Sequence, residues 1–199
     1  MHDRCQRIQR SLSSSDVLPP QADNNAGTGK YNACSNSVAL LRRSQPSMLD
    51  RWTPIYIEGD GNCMFRAVSQ AVFGSQEYHM QLRLLACLEV GTHRPTYDKS
   101  NPACHELLKR DTLVPPPFDE LWQEMTALGE SCCYVALLAL SCVVRRRICS
   151  FFPPLQSTFV SPLTTEIVGR SVDADSRSIA VMWSTVWNVP PTGEVKCCC

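Results

Sequence analysis

The chain has 199 residues, 44% of them hydrophobic, which fits one globular domain with an additional segment. Its 19 basic and 19 acidic residues give a formal net charge of zero, so no nucleic-acid partner is expected. The longest apolar run, residues 132–144, is too short to span a bilayer, and no membrane association is predicted.

Residues 1–48 are rich in Ser, Asn, Gly and Pro and show no sustained hydrophobic period. They are predicted to form a flexible, low-complexity N-terminal arm. A single domain over residues 49–199 is expected to follow this arm.

The stretch "TPIYIEGDG", residues 53–61, predicts a short strand or extended segment that ends in a glycine turn. After Cys63 the apolar residues recur at helical spacing, and Gly74 is expected to end this helix. Ser75 is then a predicted N-cap for a second helix, which Gly91 closes.

Residues 92–102 are predicted to be loop, with a modest helical piece around residues 105–110. Three consecutive prolines forbid a continued helix, and "DELWQEMTAL" predicts a new helix that ends at Gly129. Residues 130–147 are predicted to form the clearest helix of the chain. Glu130 would lie at its positive end and three arginines at its negative end, both favourable for the helix dipole.

Three late segments are strand candidates: residues 148–152, 157–161 and 178–183. Helices come first along the chain and strands cluster late. The predicted fold class is therefore α+β or α/β, with helices packed on a small central sheet.

Twelve cysteines occur without an early apolar signal segment, so reduced thiols in the cytoplasm, or in the nucleus, are expected instead of disulfides. No Cys-x-x-Cys pair occurs and no Cys/His spacing matches a zinc site, so neither a metal nor a cofactor is predicted. Most of the cysteines lie in apolar runs, and we expect them to be small buried hydrophobic residues.

Cys63 differs from the other cysteines because it lies where the first turn of a predicted helix begins. Unpaired N–H groups and the helix dipole favour a thiolate at such a place, and the thiolate is the nucleophilic form of cysteine. Gly61 lets the backbone turn sharply, while Asp60 and Asn62 can hold the turn by hydrogen bonds. This arrangement predicts acyl transfer through a thioester.

The segment "DGNCMFRAVS", residues 60–69, resembles the signature of the ovarian-tumour (OTU) family of cysteine proteases, which are deubiquitinases. The resemblance extends over about residues 52–190 and includes "YHMQLRLLACLEV", which is similar to the family's next helix. The ending "AVMWS" is closer to divergent OTU-like domains, such as those of vertnin-type and transposon-associated proteins. The resemblance implies the papain-like OTU fold.

The resemblance also implies roles for four residues. Cys63 would be the nucleophile, Asp60 would support the active-site loop, and Gly61 and Asn62 would support the turn and the oxyanion. The implied function is hydrolysis of isopeptide bonds to ubiquitin or a ubiquitin-like modifier, with ubiquitin or a ubiquitinated protein as the partner.

The family's catalytic histidine, expected a few residues after the last strand, is absent, and Trp187-Asn188 occupies roughly its place. The general base is therefore unknown. His79 lies in a helix where the family's histidine is structural, and His93 and His105 are interpreted as surface residues. The alternative function is a catalytically impaired module, truncated or altered at its C-terminus, that binds ubiquitin or another protein without turnover.

Overall fold

The computed structural model describes residues 33–109, 116–152, 163–172 and 176–183, and the structural statements below refer to these ranges. Helices precede strands within them, as the sequence predicted. The helices are α1 (Ser35–Ser44), α2 (Cys63–Phe73), α3 (His79–Thr92), α4 (Arg94–Tyr97), α5 (Phe118–Thr126) and α6 (Val135–Val144), with 3₁₀ helices at Pro46–Asp50 and Glu106–Lys109. The strands are β1 (Ile148–Phe152), β2 (Leu163–Ile167) and β3 (Ile179–Met182).

The three strands form one sheet in the order β2-β1-β3. The central strand β1 runs antiparallel to β2, with Ile148 opposite Ile167, and parallel to β3, with Ile148 opposite Ile179. The predictions for β1 and β3 are confirmed, whereas β2 was not predicted. The strand candidate at residues 157–161 lies outside the described residues.

The core forms around α6, in which nine of ten residues are buried, so this helix is enclosed on nearly all sides. It begins later than predicted, at Val135, so the expected role of Glu130 in its first turn is wrong. The reason is that Gly129 and Cys132, which precede α6, are held in an irregular segment by the contacts described below. Arg145 caps the helix in the left-handed region, with φ of 55°.

The connection between α2 and α3 is longer than the sequence predicted, because α3 begins later. Gly74 ends α2 with φ of 71°, as predicted, but α3 begins at His79 and not after a Ser75 cap. The Ser69 hydroxyl organises this turn because it donates to the Ser75 carbonyl (2.5 Å) and accepts the Tyr78 N–H (3.2 Å). The predicted stop at Gly91 is also wrong, since α3 continues to Thr92.

Two smaller differences occur further along the chain. Helix α4 lies inside the segment predicted to be loop, while the 3₁₀ helix at Glu106–Lys109 agrees with the predicted helical piece. Helix α5 ends at Thr126, slightly before the predicted end, and Gly129 follows with φ of 78°.

Residues 33–57 pack on the domain although the sequence predicted an arm up to residue 48. Helix α1 buries Ser37 and Leu41, and Ile55 makes a single antiparallel bridge to Ala33. The segment predicted as a short strand is therefore extended backbone with one bridge. Residues 1–32 of the predicted arm lie outside the described residues.

A buried carboxylate connects the helices to the sheet. The side chain of Glu89, 8% exposed, accepts hydrogen bonds from Arg170 (2.7 and 2.9 Å) and from the Tyr97 hydroxyl (3.0 Å). His93 Nδ1 lies 3.2 Å from the same carboxylate. Burial, followed by the negative charge of Glu89, raises the pKa of Tyr97, so this hydroxyl stays protonated and can donate.

None of the helices in the described ranges has the length and apolar character needed to cross a membrane.

Candidate functional site

Cys63 is the first residue of α2, with Asn62 as the N-cap. Gly61 has φ of 76°, a left-handed conformation that side chains rarely adopt, so the chain turns sharply directly before the helix. The thiol residue is only 4% exposed. The turn therefore places Cys63 at the amide-rich end of the helix, where most of the residue is buried.

Asp60 braces this turn through two partners. Its carboxylate accepts hydrogen bonds from the Arg66 guanidinium (2.7 and 3.0 Å) and from the Asn62 N–H (3.0 Å). The hydrogen bond from Arg66 is the largest cause that lowers the pKa of Asp60 from 3.8 to about 2, against the opposing effect of burial. Asp60 is therefore ionised at neutral pH and joins the turn to the helix that follows.

Asp60→Asn is expected to lower the free energy of unfolding by about 1 kcal/mol at neutral pH, because it removes an ion pair whose carboxylate is 30% exposed and screened by water. The folded-state pKa is depressed, so this stabilisation is present above about pH 4 and is lost as the pH falls through about 2. Urea unfolding of both proteins at a series of pH values measures this. A difference that persists unchanged at pH 2 would contradict the ion-pair explanation.

The matched control is Asp50→Asn, which removes an exposed carboxylate with no ion pair or hydrogen bond to its side chain among the described residues. We expect it to change the stability by less than about 0.5 kcal/mol.

The turn packs against a second glycine turn. A Cβ atom at Gly61 would overlap the carbonyl group of Gly129 and come within 3.1 Å of the Glu130 nitrogen. Gly129 itself has φ of 78° and open space around its Cα. The backbones of two glycine turns thus meet without any intervening side chain, which fixes the approach of the segment before α6 to the turn before Cys63.

Arg83 connects these two turns through hydrogen bonds from its buried guanidinium group. Its side chain is 1% exposed, and it donates to Asn62 Oδ1 (2.6 Å) and to the carbonyls of Glu124 (2.8 Å), Met125 (3.0 Å) and Ala127. These carbonyls lie at the C-terminal end of α5, where the helix dipole is negative and favours a cation. The buried charge is therefore satisfied without a carboxylate, and it holds the N-cap of α2 in position.

Cys132 lies beside the same guanidinium, with Sγ 3.4 Å from Nη2 of Arg83. Burial raises the pKa of Cys132 to about 11; the Arg83 charge opposes this, and the Glu124 charge adds to it. Burial also raises the pKa of Cys133 to about 12. These two neighbouring thiols stay protonated at neutral pH, which makes them poor nucleophiles.

The described histidines are held by groups other than the turn. His79 Nδ1 lies 2.9 Å from the Gln76 carbonyl, and His93 is beside Glu89. His105 is held between the Val168 carbonyl, 3.2 Å from Nε2, and the Leu107 N–H. Trp187-Asn188, the place where the sequence comparison put the family's histidine, lies outside the described residues.

The backbone donors of the turn are not equivalent. The Asn62 N–H is occupied by Asp60, and the Asn62 side chain accepts from Arg83, so Asn62 supports the turn and does not present its N–H to a substrate. The first helical hydrogen bond of α2 runs from the Arg66 N–H to the Asn62 carbonyl, and the N–H groups of a helix's first turn generally point away from helical carbonyls. The first turn of α2 is therefore the part suited to a developing oxyanion.

Sequence reasoning identified Cys63, Asp60, Gly61 and Asn62 but gave no role to Arg83 or to the contact made by Gly129. Arg83 lies within "YHMQLRLLACLEV", the segment that resembles the family's next helix, and the resemblance assigned it no function. The signal for Arg83 was a lone arginine on an apolar helix, which a sequence pattern does not distinguish from a surface residue. No cluster of three metal-ligating side chains occurs within the part of the chain that the structure describes.

Comparisons with known proteins agree with one another. The family model for the OTU domain of vertnin matches residues 54–114. The ovarian tumor domain-containing deubiquitinating enzyme 12 of Arabidopsis thaliana is 25% identical over 132 residues, which are 66% of this chain and 50% of that protein. The chain thus spans about half the length of this relative.

Two solved structures are similar. The OTU domain of OTUD1 superposes with a TM-score of 0.53 and 20% identity over 74% of this chain and 89% of that domain. The viral OTU domain protease from Dera Ghazi Khan virus gives a TM-score of 0.43 and 13% identity, over 63% of this chain and 72% of that one.

Proposed function

We propose that this chain, which resembles OTU domains in sequence and fold, is a divergent OTU member and a thiol hydrolase of the deubiquitinase type. Ubiquitin or a ubiquitinated protein is its proposed partner. The observation that supports this most is the position of Cys63 as the first residue of α2, directly after a turn braced by Asp60 and Arg83.

In the proposed reaction the Cys63 thiolate attacks the carbonyl carbon of the modifier's C-terminal glycine. The carbon–nitrogen bond to the lysine amine breaks, the amine leaves after it gains a proton, and a thioester remains on Cys63. Water then attacks the thioester, releases the modifier's carboxylate and restores the thiol. Backbone N–H groups in the first turn of α2 stabilise the oxyanion in both steps.

The low exposure of Cys63 constrains the substrate. A terminal glycine has no side chain, so its carbonyl can come closer to a thiol residue that is only 4% exposed than the carbonyl of a bulkier residue can. This favours a modifier that ends in glycine over cleavage within an ordinary folded chain.

The test uses the full chain and a ubiquitin that carries an electrophile at its C-terminus. We expect a covalent adduct with the wild type, none with Cys63→Ala, and an unchanged labelling rate with Cys132→Ala, whose thiol lies nearby but stays protonated. Intact-protein mass spectrometry detects the adduct. Labelling that survives in Cys63→Ala, or no adduct with the wild type, would contradict the proposed nucleophile.

A second candidate is a module of the same fold that binds ubiquitin without turnover. It is favoured because the described histidines are held by Gln76, Glu89, Leu107 and Val168, and none of these partners belongs to the turn before Cys63. Loss of general acid–base catalysis alone lowers a rate by about 10² to 10⁴. This candidate predicts ubiquitin binding, measured by titration calorimetry, together with no cleavage of di-ubiquitin; measurable cleavage would exclude it.

A further inference from the structure

A cavity of about 480 Å³ lies on the opposite side of α2 from its core-facing residues. One wall is the extended segment 51–57, the second is α2 at Ala67, Gln70 and Ala71, and the third is the edge strand with residues 177–182. We call this cavity the arginine cleft, after Arg51, Arg146 and Arg177 in its lining.

The arginine cleft has an unbalanced positive charge. The described residues of its lining include three arginines and no carboxylate. Within the described ranges, the side chains of Arg51, Arg146 and Arg177 form no ion pair or hydrogen bond. Burial, followed by the charge of Arg177, lowers the pKa of Arg146, which indicates that the two guanidinium groups lie close enough to repel each other. An anionic occupant would relieve this repulsion.

The cleft also contains an edge of β3 that is not paired with any other described strand. Ile179 and Trp183 donate their N–H groups to carbonyls on the β1 side, at 2.9 Å each. Backbone groups alternate along a strand, so the N–H and C=O groups of Ala180 and Met182 point away from β1. Strand β3 is an outer strand in the order β2-β1-β3, and no other described strand pairs with it. An edge of this kind can accept an extended peptide as a further strand.

The remaining lining suits a peptide with alternating character. Apolar side chains from Leu41, Met48, Trp52 and Ile57 face the cleft, and all but Ile57 and Leu41 are only partly buried. Gln70 lies in the same lining, and its buried Nε2 has no hydrogen-bond partner among the described residues. One face of an extended peptide can thus pack on these apolar side chains, while carboxylates on its other face pair with the arginines.

We propose that the arginine cleft binds an extended acidic peptide of a partner protein, added as a strand to the outer edge of β3. This interaction does not involve Cys63 and is independent of the proposed hydrolase activity.

Charge argues against the chain's own undescribed segments as the occupant. Residues 153–162 carry no charged side chain, residues 110–115 and residues 184–199 each carry one acidic and one basic residue, and residues 1–32 carry four basic and three acidic residues. Asp173 and Asp175 precede Arg177 in the sequence, but two carboxylates cannot neutralise three arginines. A second copy of the chain would place the same arginines against each other across a two-fold axis.

The probe is a fluorescein-labelled peptide of eight residues that alternates glutamate with valine or isoleucine, titrated with the full chain and followed by fluorescence anisotropy. We expect saturable binding, and at least about tenfold weaker binding by Arg51→Glu/Arg177→Glu. Arg42→Glu/Arg43→Glu is the matched control, because it makes the same charge change at exposed positions of α1 outside the cleft. This control should change the affinity less than about twofold.

Two modified peptides test the strand geometry. N-methylation of one alternate set of residues should weaken binding at least about tenfold, because those N–H groups pair with β3, whereas methylation of the other set should have little effect. A peptide with lysine in place of glutamate should not bind. Equal loss for both methylated sets, equal loss for the two double variants, absence of binding, or tighter binding of an oligothymidylate would each overturn the proposal.

Binding must also persist in Cys63→Ala, which separates this proposal from the hydrolase activity. Sedimentation of the wild type should give a monomer that exposes the cleft. A dimer that Arg51→Glu/Arg177→Glu dissociates would mean that a second copy occupies it, against the proposal.

Discussion

Replacement of Arg83 by methionine is expected to lower the free energy of unfolding by about 4 kcal/mol, the effect of breaking a buried charged network. The change keeps an apolar stem but removes the donors that serve Asn62 Oδ1 and the carbonyls at the end of α5. Each buried acceptor left without a donor costs about 1–3 kcal/mol. Chemical denaturation followed by tryptophan fluorescence measures the loss.

Arg94→Met provides the matched control. Arg83 lies over the Phe65 ring, 5.1 Å from its centroid, and Arg94 is likewise helical and lies 4.3 Å over the Phe118 ring, but the Arg94 side chain is 52% exposed. Its loss should cost less than about 1 kcal/mol. If Arg83→Met and Arg94→Met destabilise the protein equally, then Arg83 does not hold the site together.

Replacement of Gly61 by alanine is expected to lower the free energy of unfolding by more than about 3 kcal/mol. Its φ of 76° costs an alanine about 1–2 kcal/mol, and the new methyl group would overlap the backbone of Gly129. Because backbone cannot rotate away as a flexible side chain can, the turn before Cys63 must shift. The labelling rate of Cys63 by the ubiquitin electrophile should fall at least about tenfold.

Gly129→Ala separates the two causes. Gly129 has nearly the same φ, 78°, but a Cβ there would meet no atom within 4 Å. This substitution should therefore cost only the conformational part, about 1–2 kcal/mol, and should leave the labelling rate near that of the wild type. A cost for Gly129→Ala as large as that for Gly61→Ala would mean that backbone conformation, and not the contact between turns, is decisive.

The local features of the site could be predicted because they depend on residues with strong backbone preferences. Gly61 and Gly74 mark left-handed positions at either end of α2, and the apolar spacing between them predicts the helix. The position of Cys63 at the helix start follows from these alone. Its exposure of 4% does not follow, because it depends on packing against a distant segment.

The contacts that hold the site could not be predicted, since they join residues far apart in the sequence. Arg83 reaches the end of α5 and the cap of α2, and Gly129 lies against Gly61. A helical pattern shows that position 83 lies among apolar residues, but it does not show that carbonyls at another helix end will accept its hydrogen bonds.

Helix α1 and strand β2 are among the elements that escaped prediction, because their own sequences favour them only weakly. Helix α1 is mostly polar and buries only Ser37 and Leu41, so its apolar period is faint. Strand β2 reads "LTTEI" and forms by pairing with the predicted strand β1. For both elements, tertiary contacts outweigh local propensity.

The ion pair between buried Glu89 and Arg170, whose side chain is 36% exposed, has a consequence for the order of folding. Its two members are 81 positions apart, so the ion pair forms only when α3 and the segment after β2 have come together. An α3 helix packed early would enclose a carboxylate with no cation beside it, which is unfavourable. We therefore expect the helices to gain no lasting stability before the strands dock, so that refolding proceeds as one cooperative event without a populated helical intermediate.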